Sequence, residues 1–448
     1  MAQHPLSRVH PTPLRSGEVE EALVRLLPSE AVERFARETG FVRRERKVNA
    51  VAFLWVLTLH FGVKLQRHLA ALKKGYDTIA AVPSLTYPGF YLRFTPELVK
   101  FLKRCLEHAM GELAHEPGRE LDPRLARFED LLLKDSTVVR LHAALATKWP
   151  VTRSRKVAAG VKVDVLVSVR ANGPKTVALV GERTHDVKLL RVGAWVRNRI
   201  LLADLGYYSH RLVARIGENG GFFVTRWKKS ADPLFVRSWA VHRGRTIALE
   251  GKHLSEVVPR LQREVWDAEV ELAFRRRTYN GRRSGDTLRC RLIAVWDEPH
   301  REYHLHLTNL GPEVLSAEEV ARLYAMRWEI ELLFKELQSS YALDELRTTK
   351  AEIVEALIWS ALLTRVVSRR LHSLIRARAV PELRPRYTQL RWSIEFRDAG
   401  EAVLGGLLAH LEFGPPDPGG QYTMNYLLVE EALDPNIKRH RFREEWSA

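Results

Sequence analysis

YAMRWEIELLFKELQ, residues 324–338, decides how the rest of the chain is read. Its spacing predicts a helix, set within a longer one from about Ser316 to Ser340. A helix turns about 100° per residue, so surface positions follow by arithmetic. Leu323, Met326, Ile330, Leu333, Phe334 and Leu337 share a broad apolar stripe that can dock on a core. Tyr324, Arg327, Glu331, Lys335 and Gln338 share a neighbouring stripe about 80° wide. An ordinary amphipathic helix with an i,i+4 pair between Glu331 and Lys335 has the same spacing. The stretches upstream bear on the choice.

Two apolar runs before this helix each lead to an aspartate. LLLKDSTVV, residues 131–139, reads as a buried strand that delivers Asp135 at its end. RILLADLGYYS, residues 199–209, does the same for Asp204. Between them AGVKVDVLVSVR alternates like a strand, Asn172-Gly173 is a turn, and KTVALVG can return as a hairpin partner. THDVKLLRVGAWV can start a helix near Asp186, and GFFVTRW is a further strand. Strands with a helical crossover make an α/β pattern. Single strand-end carboxylates often just cap a following helix. Three carboxylates at one sheet edge repel each other unless a cation sits among them, and oxygen ligands suit Mg²⁺ or Mn²⁺. Two such ions can promote phosphoryl transfer.

The flanks differ in character. EVEEALVRLL and PSEAVERFARETG have helical spacing, with Gly40 a good stop, and VNAVAFLWVLTLHFG is apolar nearly all round, hence buried. The basic helical stretch that follows suits either a helix-turn-helix-like DNA reader or a bundle with a solvated basic face. Residues 234–310 read as strands separated by Arg- and Gly-rich turns, FRRRTYNGRRSG among them. Trp296 and Tyr303 there suit either the core of a small sheet or a platform for an unpaired base. A long buried or half-buried helix covers Ile353 to Leu371.

Composition narrows the classes. The 448 residues are 46% hydrophobic, enough for about two or three domains with cores. A net charge of +17, from 71 Lys and Arg against 54 Asp and Glu, favours a polyanionic partner. No apolar run is long enough to span a membrane, and the start lacks the apolar stretch of a signal peptide. Cys105 and Cys290 are the two cysteines, so neither a disulfide framework nor a cysteine zinc site is indicated, and a reducing cytoplasm is the expected setting.

LLLKDST, LLADLGYYS and YAMRWEIELLFKELQ together resemble the three acidic motifs of insertion-sequence transposases of the DDE superfamily. The branch is the one whose last motif reads Tyr-x2-Arg-x3-Glu-x6-Lys. Tyr324, Arg327 and Glu331 fall in register; Gln338 stands where the family has Lys, and Lys335, one turn earlier, is the candidate substitute. The resemblance covers roughly Pro28 to Ile375. It implies an RNase H-like catalytic core with a mostly β insertion, plus helical N-terminal and C-terminal regions. Asp135, Asp204 and Glu331 would be the catalytic, metal-binding triad, with two Mg²⁺ or Mn²⁺ ions. Tyr324, Arg327, Lys335 and Gln338 would face DNA. The partners would be double-stranded DNA, at terminal inverted repeats and target, and a second copy in a synaptic homodimer, in the nucleoid-associated cytoplasm. The expected divisions are a loose start (1–16), a helical DNA-binding domain (17–123) and a first core part (124–227). A β-rich insertion (228–309), the third-motif helix (310–345), C-terminal helices (346–436) and a basic tail (437–448) follow. A metal-dependent nuclease without strand transfer, or a non-catalytic DNA-binding relative, would share these residues.

Overall fold

The computed structural model describes residues 10–44, 48–61, 69–79, 81–115, 121–152, 159–227, 232–239, 241–242, 245–261, 263–276, 284–339, 343 and 346–435. Most of FRRRTYNGRRSG and the basic tail lie outside these residues.

Eleven strands follow one another along the described chain: β1 (Asp130–Leu141), β2 (Ala159–Ser168), β3 (Gly173–Gly181), β4 (Arg199–Ala203), β5 (Phe222–Arg226), β6 (Leu234–Ser238), β7 (Val241–His242), β8 (Arg245–Thr246), β9 (Val265–Arg275), β10 (Gly285–Asp297) and β11 (Glu302–Thr308). Nine of them form a single mixed sheet in the order β3-β2-β1-β4-β5-β11-β10-β9-β6, while β7 and β8 pair apart. β1, β4 and β5 run parallel; β2 and β3 on one side and β11, β10, β9 and β6 on the other run antiparallel. The β-rich stretch after Trp227 therefore extends the central sheet instead of closing a small one of its own.

β2 is buried along its whole length: Val161, Val163, Val165 and Val167 fill one face, and on the other Lys162, Asp164 and Ser168 are buried with bonded partners. The Asn172-Gly173 turn forms as expected, with Asn172 at φ 53°, the left-handed conformation that asparagine tolerates better than most residues. β1 runs on to Leu141, so Asp135 lies in its middle and not at its end. The β-branched Thr137, Val138 and Val139 carry the strand past the acid.

Alternation assigns the two faces. Leu131 and Leu133 of β1 and Ile200 and Leu202 of β4 join a core shared with the helices. Leu132 and Leu201 point into a second core under the His210–Glu218 helix. Continuing the first set by two residues places Asp135 and Asp204 on the helical face.

Ala50–Leu59 is buried throughout, as its all-round apolarity demands. The Val56–Phe61 turn is a π-helix, and the hydroxyl of Ser360 donates to the carbonyl oxygen of Leu57 at 2.6 Å, while that of Thr364 donates to Thr58. Those donors belong to the Ala351–Arg378 helix, so the N-terminal and C-terminal helices share one core. None of the described helices is long and apolar enough to cross a membrane.

The expected single helix from Ser316 to Ser340 is two, Ala317–Ala325 and Trp328–Ser339. Between them the amides of Met326, Arg327, Glu329 and Ile330 each bond to the carbonyl three residues back, which tightens the coil at Arg327. The apolar stripe survives the break: Leu323, Met326, Ile330, Leu333, Phe334 and Leu337 are all buried.

Candidate active site

The Trp328–Ser339 helix packs against β1, and the tightened turn before it aims Arg327 at the strand. Arg327 Nη1 donates to Asp135 Oδ2 at 2.8 Å, and Nη2 donates to Glu331 Oε1 one helical turn on. One guanidinium thus joins two of the three expected acids. Asp204 follows β4 directly and starts the short Leu205–Tyr207 turn without a capping bond from its side chain. Its charge acts on both Asp135 and Arg327. The three acids come together on one side of the sheet.

Among the described residues Arg327 is the cation bonded within this group of three carboxylates, and the electrostatics show the imbalance. The Asp135 carboxyl is pushed up to about 6, first by burial. The Ser136 amide and Arg327 pull it down, while Asp204 and Glu331 push it further up. Burial works against the charge on Arg327, yet Tyr324, Asp135, Asp204 and Glu331 together hold it above its ordinary value. A site of oxygen donors with negative charge to spare fits a hard divalent cation, and Arg327 supplies the positive charge there in its place.

Residues 126–367, more than half of the chain, match the transposase DDE domain family. The chain belongs to that family. The transposase for insertion sequence element IS231F of Bacillus thuringiensis subsp. israelensis is 23% identical over 387 residues, 77% of each chain. The transposase for IS1151 of Clostridium perfringens is 19% identical over 369 residues, 75% of this chain and 76% of its own. A putative transposase, InsL of IS186A from Escherichia coli (strain K12), is 48% identical over 59 residues, 13% of this chain and 16% of its own.

The remaining residues expected at the DNA-facing edge of this DDE domain divide three ways. Lys335 is exposed, and among the described residues it makes no ion pair with Glu331, which has turned to Arg327. Gln338 is half-buried and donates to Thr137 Oγ1 at 3.1 Å, on the same face of β1 as Asp135. Tyr324 departs from expectation. It is buried, its ring 5.0 Å from that of His306 and 5.8 Å from the Arg327 guanidinium, and burial pushes its hydroxyl up to about 12. The break at Met326–Arg327 explains this, because 100° arithmetic does not carry across a tightened turn. Trp296 and Tyr303 pack edge to face at 4.9 Å, and the Tyr303 hydroxyl donates to the Arg263 carbonyl at 2.6 Å, which favours the packing role.

Two features escaped the sequence reading. Trp328, beside Arg327, is 61% exposed. Lys134 and Asp164, charged residues inside apolar strands, form a buried ion pair on the far face of β1. A charge within each of two apolar strands was the available signal. Asp297, His300 and His304 also cluster closely enough for a metal ion. However, Arg226 donates to His304 Nδ1 at 3.3 Å, which leaves Nε2 carrying the proton it gives to Asp297. A metal-bound imidazole donates outward instead, so these bonds describe a hairpin clasp.

Proposed function

We propose that this chain is the transposase of an insertion sequence, which cleaves DNA at the ends of its element and joins them to target DNA by two-metal phosphoryl transfer. The observation that carries the reading is the gathering of Asp135, Asp204 and Glu331 beside Arg327, which bonds to Asp135 and Glu331. The order β3-β2-β1-β4-β5, with β1, β4 and β5 parallel, supports an RNase H-like core. Tyr324, Arg327 and Glu331 support the Tyr-Arg-Glu-Lys branch, with Gln338 as the departure.

Asp135, Asp204 and Glu331 would hold two Mg²⁺ or Mn²⁺ ions. Such ions activate the attacking oxygen of a phosphodiester exchange and neutralise the leaving one. Without them, Arg327 shields Asp135 and Glu331 from each other. Released from that pairing, its fork suits a phosphate oxygen pair. Lys335, exposed two turns beyond Arg327, extends the basic edge along the same helix. Recognition of the terminal inverted repeats falls to the helical N-terminal region, where Arg43, Arg44 and Arg93 line a cavity of about 630 Å³. The working form is a homodimer, one protomer per DNA end, in the nucleoid-associated cytoplasm.

The test is incubation with the element's own terminal DNA and Mg²⁺. End cleavage with joined products is expected. Cleavage without joining points to a nuclease, and binding without cleavage points to a non-catalytic relative.

A further inference from the structure

The far face of β1 holds charges that the proposed chemistry does not use. Lys134 and Asp164 pair there with side chains 2% and 5% exposed, and Tyr207 donates to the other Asp164 oxygen at 2.6 Å. The Lys134 ammonium lies 5.5 Å from the Tyr207 ring. Beside them Ser136 donates to Asp186 Oδ1 at 3.3 Å, and Lys162 holds the same oxygen at 2.6 Å. Asp186 also presses on Gly206, where a Cβ would meet its Oδ2 at 2.7 Å.

Stability does not account for this network, since a buried ion pair is commonly no better than an apolar pair of the same volume. Its connections are specific. Lys134 and Ser136 flank Asp135 in sequence and point to the opposite face. Gly206 and Tyr207 lie two and three residues after Asp204. Asp164 therefore touches both acid-bearing segments, through Lys134 and Tyr207. Asp186 touches both again, through Ser136 and Gly206. The parallel ladder between β1 and β4 ends at Lys134 and Ala203, so no ladder bond ties Asp135 to Asp204. The side chains behind the sheet take over where the backbone stops.

We propose that Asp164 and Asp186 are positioning residues that fix the spacing of Asp135 and Asp204, and through it the affinity of that pair for a divalent cation. The proposal rests on Asp135 and Asp204 being cation ligands.

The test is Mn²⁺ binding to the full chain without DNA, followed by electron paramagnetic resonance, beside thermal unfolding. Tyr207→Phe and Ser136→Ala each remove one hydroxyl and leave the packing. Each is expected to weaken Mn²⁺ binding about tenfold, the usual cost of losing a bond behind a ligand, with the melting temperature nearly unchanged. Gly206→Ala, which displaces Asp186, should act in the same direction. Should those variants fail to fold, the double change Lys134→Met with Asp164→Leu keeps an apolar fill, and it too is expected to bind Mn²⁺ weakly. Asp135→Asn serves as the control. Wild-type affinity in the folded variants, alongside loss in Asp135→Asn, overturns the positioning role alone. Unchanged binding in Asp135→Asn overturns the reading of Asp135 as a ligand, and the proposal with it.

Discussion

Two of the three glutamates on the Trp328–Ser339 helix, Glu331 and Glu336, have opposite fates. Glu331 shares the Arg327 guanidinium with Asp135, with Asp204 nearby, and a third of its side chain is open to water. Glu336 is 5% exposed, bonded to Arg369 and 3.4 Å from Arg365 of the Ala351–Arg378 helix. Around Glu336 the positive partners outnumber the carboxylate, water is shut out, and the charges tie two helices together. Around Glu331 negative charge is left over at an open edge. A buried carboxylate with cations around it explains itself by what it joins; one left over at the surface calls for a ligand.

Substituting each side separates them. Asp135→Asn or Glu331→Gln should reduce cleavage of terminal DNA by at least about a hundredfold, more than the loss expected for a supporting bond. Neither should lower the melting temperature of the metal-free chain, because each relieves repulsion. A variant that loses its fold instead would place Glu331 with Glu336 as a structural tie.

Glu336→Gln should do the reverse. It takes from the buried Arg369 the carboxylate to which it is bonded, which costs about 3–5 kcal/mol for a buried pair. Urea unfolding measures the loss, and cleavage per folded molecule should stay near wild type. A loss of cleavage at unchanged stability would show that the two faces of the helix are not independent.

The sequence made one of these faces legible. Asp135, Asp204 and Glu331 stood out because apolar strands led to two of them and a stripe presented the third. The helix-facing core was readable for the same reason, since Leu133, Leu202 and Ile330 follow periods of two and 3.6. The fate of Glu336 was not readable, because its partners lie about thirty residues on and only packing brings them together. Tyr324 was misplaced by the tightened turn at Arg327, which no glycine or proline announces. The joining of the β-rich stretch to the central sheet depends on β11 pairing with β5, and pairing between distant strands leaves no local mark.

Acidity sharpens the comparison with a smaller effect. Asp135 is raised from 3.8 to about 6 in the metal-free chain. The folded state then holds that proton more tightly than the unfolded state. Its contribution to stability is complete below about pH 4 and is lost as pH climbs through 6, by up to about 3 kcal/mol. Urea unfolding in a chelator at pH 4 and pH 7 should show wild type losing that amount relative to Asp135→Asn. Excess Mg²⁺ should close the gap at pH 7. A constant difference between the two proteins across this range would mean that neither burial nor the charges of Asp204 and Glu331 raise Asp135.

The smallest expected effect lies at Gln338, the departure from the family motif. Its amide donates to Thr137, two residues beyond Asp135 on the same face, so the side chain is held beside the acids. A lysine there would reach the same hydroxyl or a nearby phosphate, and a charged donor makes a bond roughly twice as strong as a neutral one. Gln338→Lys should tighten binding to terminal DNA by on the order of 1 kcal/mol, since the position is half-buried and salt screens the gain. Lys335, exposed one turn nearer Glu331, already carries a positive charge along this edge. Lys335→Ala should therefore be costly in the natural chain and milder in the Gln338→Lys background. A double-mutant cycle on cleavage rate measures the coupling. If the two changes simply add, Lys335 does not stand in for the missing lysine. The bond from Gln338 to Thr137 would then be a structural tie like that of Glu336, on the side of the helix where the charges are otherwise left for a ligand.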